Sequence, residues 1–232
     1  MDSKLTKPLI LITGASSGIG ASAARLFAQV GFPLGLLARN IHALHALNLK
    51  ESICIETDVT DFNAFQRAVQ QAEEKYGPVD CLINNAGFGK TGDFDTLTQQ
   101  EHERMVHVNL LGVIHGMETV LPGMKSRRSG TIINISSLAD RHSRPQLATY
   151  AASKAAVKSL SESLRAAYAK FGIRICNFSP AKVKTPLLMQ SDLHDEQVIP
   201  VDEIAKMLLW IYEQPKSICI RDIVIAPTYY EA

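Results

Sequence analysis

Leu9-Ile10-Leu11-Ile12-Thr13-Gly14-Ala15-Ser16-Ser17-Gly18-Ile19-Gly20 passes without a break from an apolar run into a glycine-rich segment. Four consecutive apolar residues are the pattern of a strand buried on both faces of a parallel sheet. After the glycines, Ala21, Ala24, Phe27, Ala28 and Val30 recur at helical spacing, and Gly31 is a natural stop. Strand, glycine turn and helix in that order place backbone N–H groups and a helix N-terminus where a pyrophosphate can sit. The spacing is G-x-x-x-G-x-G and departs from the commoner G-x-G-x-x-G, so alone it is equally compatible with a plain tight turn.

The same alternation continues outward. Strands are expected at Leu34 to Ala38, Ile53 to Glu56, Cys81 to Ile83, Thr131 to Ile135, Ile173 to Phe178 and Ile223 to Ala226. Helical patterns lie between them, from about Asp61 to Tyr76, Gln99 to Lys125, Ala148 to Phe171 and Val201 to Glu213. Strands alternating with helices of this length predict a single-domain α/β Rossmann fold over 1–232, a doubly wound parallel sheet of about seven strands with helices on both faces. The polar stretch at about 186–200 is the expected substrate lid.

Lys plus Arg number 24 and Asp plus Glu 23, a net charge of +1, so no electrostatic argument makes nucleic acid or a membrane surface the partner. The apolar runs are too short for a signal sequence or a membrane span. Cys54, Cys81, Cys176 and Cys219 lack metal-type spacing, and no metal site is expected. Three of them fall in strand-like apolar runs, where a thiol acts as a small buried hydrophobe, and reduced thiols imply a cytoplasmic protein.

Two positions carry chemistry. Tyr150-Ala151-Ala152-Ser153-Lys154 puts a phenol and an ammonium on one helix face, a turn apart. A cation beside a tyrosine favours the phenolate and lowers its pKa, which suits proton exchange with a substrate. Such pairs are also common on solvated helices. Arg39 closes the second strand where an NAD site usually has a carboxylate for the ribose 2′-hydroxyl. A guanidinium matches a 2′-phosphate in charge and fork geometry, which favours NADP. A solvated surface arginine is the plain alternative. Asp58, before Val59, reads as a cap or a partner of the adenine amine.

With these segments placed, the whole chain resembles the short-chain dehydrogenase/reductase family. The resemblance rests on Thr13-Gly14-x-x-x-Gly18-x-Gly20, Asn84-Asn85-Ala86-Gly87, Asn109, Ser137, Tyr150-x-x-x-Lys154 and Pro180-x-x-Val183-x-Thr185, in the family's order and separations. It implies an oxidoreductase that interconverts a secondary alcohol and a carbonyl with NADP(H). Tyr150 would exchange the proton with the substrate oxygen, and Ser137 would hydrogen-bond it. Lys154 would lower the phenol's pKa and hold the nicotinamide ribose, and Asn109 would anchor a relay water. Gly14, Ser16, Ser17, Gly18, Ile19, Gly20, Arg39, Asp58, Val59, Asn85, Ala86, Gly87, Pro180, Val183 and Thr185 would line the cofactor, the last two holding its carboxamide. Ser136 is expected to point away, because side chains alternate along a strand. The family also implies a homodimer or homotetramer built on helices like Gln99 to Lys125 and Ala148 to Phe171.

Two residues depart from the pattern: Asp140 and Ala181 stand where glycine is usual. They are the only support for a non-catalytic dinucleotide sensor or scaffold that keeps the fold. Asp140 has Arg141 and Arg144 as possible partners. Arg221 to Thr228 resembles the last strand of the branch that acts on serine and other 3-hydroxy acids. Arg141, Arg144, Lys182 and Lys184 near the expected pocket suit an anionic substrate, although a solvated loop accounts for most such residues.

Overall fold

The computed structural model describes residues 7–185 and 197–230; most of the expected lid, 186–196, lies outside them. Among these residues one sheet holds β1 (Leu9–Thr13), β2 (Leu34–Ala38), β3 (Ser52–Glu56), β4 (Val79–Asn84), β5 (Gly130–Ile135), β6 (Ile173–Pro180) and β7 (Asp222–Ile225). Its order is β3-β2-β1-β4-β5-β6-β7, and every pairing is parallel. The helices are α1 (Gly18–Gln29), α2 (Ile41–His45), α3 (Phe62–Tyr76), α4 (Gln99–Val106), α5 (Gly112–Arg127), α6 (Ala148–Tyr168) and α7 (Val201–Glu213).

Side-chain alternation divides the apolar strands between two cores. Ile10 and Ile12 of β1 join a core with Phe27 of α1 and Leu208 of α7, whereas Leu9 and Leu11 join another with Phe65 of α3 and Val157 of α6. This is why β1 is apolar at every position: each face is covered by helices. Between Leu9 and Ile10 the register against β4 slips by one residue, pairing Leu9 with Val79 and Ile10 with Cys81. The bulge accommodates Asp80, whose carboxylate accepts a hydrogen bond from Tyr212 Oη of α7 at 2.8 Å.

The chain leaves β1 for β2 on one side and later returns to β4 on the other. The strand order therefore reverses between β1 and β4, the crevice where open α/β sheets place their ligands.

The structure extends several expected elements. β4 and β6 are longer at their ends, and the short α2 was not foreseen, since one turn and a half leaves little periodicity to read. The helix expected over Gln99 to Lys125 is continuous in path but opens into a π turn at His107–Leu111 around Asn109. Helical wide turns of this kind cluster at functional sites.

Candidate active site

At the carboxyl ends of β1 and β4, the loops enclose one cleft of about 1500 Å³, which is larger than a typical small-ligand pocket and has room for a dinucleotide beside a substrate. Its floor is the glycine turn. Gly14 has φ +64, and a Cβ there would lie 2.8 Å from Ala86 Cα. Gly20 is buried, and a Cβ on it would lie 2.4 Å from the Gly14 carbonyl oxygen and 2.5 Å from Asn85 Nδ2. Thus Gly14 shapes the cleft while Gly20 lets α1 pack beneath it. Asn85 stitches the two strand ends together. Its side-chain amide donates to the carbonyls of Thr13 (2.9 Å) and Gly14 (3.2 Å), and Thr13 Oγ1 accepts from the N–H groups of Asn85 and Ala86. Asn85 therefore shapes the turn with its side chain rather than offering it to a ligand.

Ser17 precedes helix α1 as its N-cap, and its side chain makes no capping bond, so the first-turn N–H groups are left for another acceptor. Ser16, Ser17, Gly18 and Ile19 line the cleft beside them, a set that fits a pyrophosphate. Further along, Arg39, Asp58 and Val59 line the same wall. Asp58 Oδ1 accepts from the N–H and hydroxyl of Thr60 at 2.9 and 2.8 Å. Against the burial that would raise it, those bonds and the charges of Arg39 and Arg104 hold this carboxyl below its usual range. Arg104, which stacks over Phe88 at 4.2 Å, was not singled out in the sequence; on α4 it looks like any surface arginine.

Ser137, Tyr150 and Lys154 come together on the opposite wall with Pro180, Val183 and Thr185. Ser136 donates to the main-chain carbonyl of Lys154 (3.2 Å), whereas Ser137 lies beside the Tyr150 phenol. Lys154 is buried and its Nζ donates to the Ile135 carbonyl at 2.8 Å, 5.8 Å from the centre of the Tyr150 ring. Burial pushes its ammonium down to about 8, with the Asp140 charge acting the other way.

One expectation needs correction. Lys154 was expected to lower the Tyr150 phenol, yet burial raises the phenol above its ordinary value, Ser137 opposes that rise and the Asp140 charge adds to it. The i, i+4 spacing does put both on one face, but the lysine stem carries Nζ on to the end of β5, so desolvation outweighs any pull from the cation.

Asn109 sits behind this wall, fully buried in the π turn. Its Oδ1 accepts from the Phe88 N–H at 2.8 Å, and its Nδ2 donates to the Phe88 carbonyl (2.8 Å) and Ser153 Oγ (3.0 Å). Gly87 borders both groups: a Cβ on it would lie 3.6 Å from Asn109 Oδ1 and 3.8 Å from Lys154 Nζ, ordinary contact distances.

The two departures are accommodated. Ala181 takes no positive φ and donates its N–H to the Ile225 carbonyl at 2.8 Å; the left-handed turn falls on Lys182, φ +44. Asp140 pairs with Arg141 at 2.6 Å, not with Arg144, and accepts from Asn177 and Ser179. Arg141 continues to Asp222 of β7 at 2.9 Å. A fully paired buried carboxylate is a structural device that leaves the cleft clear.

Known proteins resemble this chain over most of its length. Residues 8–196 match the family model for short chain dehydrogenases. An uncharacterized oxidoreductase of Listeria monocytogenes is 35% identical over 238 residues, covering 95% of this chain and 96% of its own. Oxidoreductase UcpA of Salmonella typhimurium is 37% identical, over 88% of this chain and 81% of its own. Among solved structures, an alcohol dehydrogenase from Thermococcus sibiricus complexed with 5-hydroxy-NADP superposes with TM-score 0.89 at 25% identity, over 97% of this chain and 99% of that one. A 3-ketoacyl-(acyl-carrier-protein) reductase from Brucella melitensis complexed with NADH gives 0.87 at 27%, over 94% and 96%. The chain belongs to the short-chain dehydrogenase family and is an oxidoreductase acting on CH–OH groups.

Proposed function

We propose that this protein is an NADP-dependent oxidoreductase that interconverts a secondary alcohol and a carbonyl, with Tyr150 as the general acid/base. The observation that carries the reading is the convergence of Ser137, Tyr150 and Lys154 on the cleft that the uncapped α1 N-terminus and the glycine turn also line. NADP(H), when bound, supplies or accepts the hydride at the substrate carbon. Everything else belongs to the chain. A phenol held above its ordinary pKa is protonated at neutral pH, the form that donates to a carbonyl oxygen. Ser137 hydrogen-bonds the same oxygen and orients it. The Lys154 ammonium, still mostly charged at pH 7 and held at the end of β5, would hold the nicotinamide ribose. Asn109 braces the Phe88 main chain against α6; a relay water there is left to its second Oδ1 lone pair or to the π-turn main chain.

Arg39 is exposed at the rim and makes no side-chain hydrogen bond or ion pair among the described residues, which supports a role toward a 2′-phosphate. The ligands of the neighbours are mixed, 5-hydroxy-NADP in one and NADH in another, so the preference rests on this residue. All four cysteines are free thiols, in keeping with a cytoplasmic protein, and no helix among the described residues is long and apolar enough to cross a membrane. Assembly as a dimer or tetramer through α4–α5 and α6 is part of the same proposal.

The test is Tyr150→Phe. Turnover of a carbonyl and alcohol panel, followed by NADPH absorbance, should fall by about 100- to 10,000-fold. The NADPH dissociation constant, read by fluorescence, should stay within about twofold, because the ring that lines the cleft is kept. Full activity in the variant would remove the acid/base assignment. Tight NADPH binding with no turnover across the panel in the wild type would favour the sensor reading instead.

A further inference from the structure

Asp140 is placed to do more than hold its turn together. Its side chain is fully shielded from solvent at the end of the turn that begins with Ser137, and its main-chain N–H donates to the Ser137 carbonyl at 2.9 Å. Ser136 ties it to α6. That hydroxyl lies against the Asp140 carboxylate and donates to the main-chain carbonyl of Lys154 at 3.2 Å. The carboxylate is therefore fixed behind the wall that carries Ser137, Tyr150 and Lys154.

Its hydrogen bonds are complete, but the pairing leaves charge over. Asn177 and Ser179 are neutral donors, and Asn177 bonds Asp222 as well as Asp140, each at 3.0 Å. The Arg141 guanidinium is shared between Asp140 at 2.6 Å and Asp222 of β7 at 2.9 Å. Two carboxylates on one guanidinium leave one negative charge. Lys158 of α6 acts on Asp222 through space but is itself paired with Glu162 at 2.6 Å. On the cleft side of the cluster stands Lys154, whose Nζ bonds the Ile135 carbonyl.

A fixed negative charge acts in one sense on both members of the Tyr150 and Lys154 pair. It disfavours a phenolate and favours an ammonium, so it keeps the proton on each. Burial raises the phenol and lowers the ammonium to about 8, and for both groups the Asp140 charge favours the protonated form. We propose that Asp140 is a positioning residue that acts through Tyr150 and Lys154: its surplus charge, anchored on β6 and β7, keeps phenol and ammonium protonated together, so that carbonyl reduction extends to alkaline pH. This deepens the oxidoreductase reading and rests on it for turnover. The other titratable groups on this cleft are His142 and Arg144 from the loop before α6, Lys182 after β6, Lys90 and Asp93 after β4, and Tyr230 after β7, and none of them is exchanged in the variants that test the charge.

The experiment follows kcat/KM for the carbonyl of the panel that the wild type reduces fastest, with NADPH saturating, from about pH 6 to about pH 10.5. In Asp140→Asn, which keeps the size and removes the charge, the alkaline limb of the profile should move down by about one pH unit. A merely structural role would lower turnover by the same factor at every pH and leave the limb in place; that result overturns the proposal, and so does a limb that moves up. Asp222→Asn, at the partly exposed end of the cluster, should move the limb the same way by less. It replaces Asp140→Asn if that variant does not fold, and a fixed limb in it then overturns the proposal. Tyrosinate absorbance gives a readout independent of turnover. The titration step that Tyr150→Phe removes should begin at lower pH in Asp140→Asn than in the wild type. If it does while the wild type reduces no carbonyl of the panel, the role of the charge stands and the enzymatic reading alone fails. If carbonyls are reduced and neither the limb nor the tyrosinate step moves, the enzymatic reading stands and Asp140 only braces its turn.

Discussion

Lys154 shows how one residue's environment alters what its type suggests. A lysine with its ammonium near pKa 8, against 10.5 when solvated, binds fewer protons folded than unfolded between those pH values. Stability therefore rises across that window, and below pH 8 the folded state carries the whole desolvation penalty. Comparing wild type with Lys154→Met by denaturant unfolding, the difference should shift in the wild type's favour by about 1 kcal/mol from pH 7.5 to pH 9. A difference independent of pH would mean the ammonium is hydrated in solution. At the same scale, Arg39→Asp should weaken NADPH about 100-fold or more and leave NADH nearly unchanged, because it removes a charge-assisted contact and adds repulsion. Equal loss of both would contradict the 2′-phosphate assignment.

Elements are coupled through buried polar links as well as apolar packing. The turn after Ser137 is pinned to β6 and β7 by Asp140, which accepts from Ser179, Asn177 and Arg141, with Arg141 reaching Asp222. Burial would raise the Asp140 carboxyl, but these donors, Arg141 first, hold it below its usual range. Its contribution is thus present above the ordinary carboxylate pKa and lost as pH falls through the lowered one. Asp140→Asn should cost about 2 kcal/mol at pH 7, and the loss should shrink on acidification. Thermal melts from pH 7 to pH 3 measure both, and an undiminished loss at low pH would show that packing, not charge, was removed. On the other side of the sheet, Phe27 of α1 packs against Phe32 at 5.6 Å and Tyr212 of α7 at 6.0 Å between ring centres. Phe27→Ala should cost about 3–5 kcal/mol and loosen α1 against α7.

Across the molecule, the two cores clamp the sheet so that the carboxyl ends of β1 and β4 meet in one crevice. A cofactor that spans the glycine turn, the β4 loop and the Pro180 loop joins segments distant in sequence and should stabilise the fold as a whole. NADPH at about 100 times its dissociation constant should add about 2.7 kcal/mol to unfolding, read as a rise in melting temperature, and NADH at the same concentration should add less. No rise with either would remove the dinucleotide site. Light scattering checks the assembly, with a mass of two or four chains expected and a monomer excluding it.

Local patterns were enough for the sequence to determine the alternating parallel architecture and the glycine turn after β1, while Ser137, Tyr150 and Lys154, named through the family resemblance, are brought by the fold to one cleft. Periodicity and φ preference act over a few residues, so they can be read without coordinates. Only the tertiary structure decided that Lys154 bonds Ile135 rather than leaning on the phenol, that Asn85 and Asn109 serve as braces, and that Asp140 and Asp222 share Arg141. Those outcomes depend on desolvation and on partners tens of residues away in the chain, and neither is set until the sheet and its two helical layers have packed.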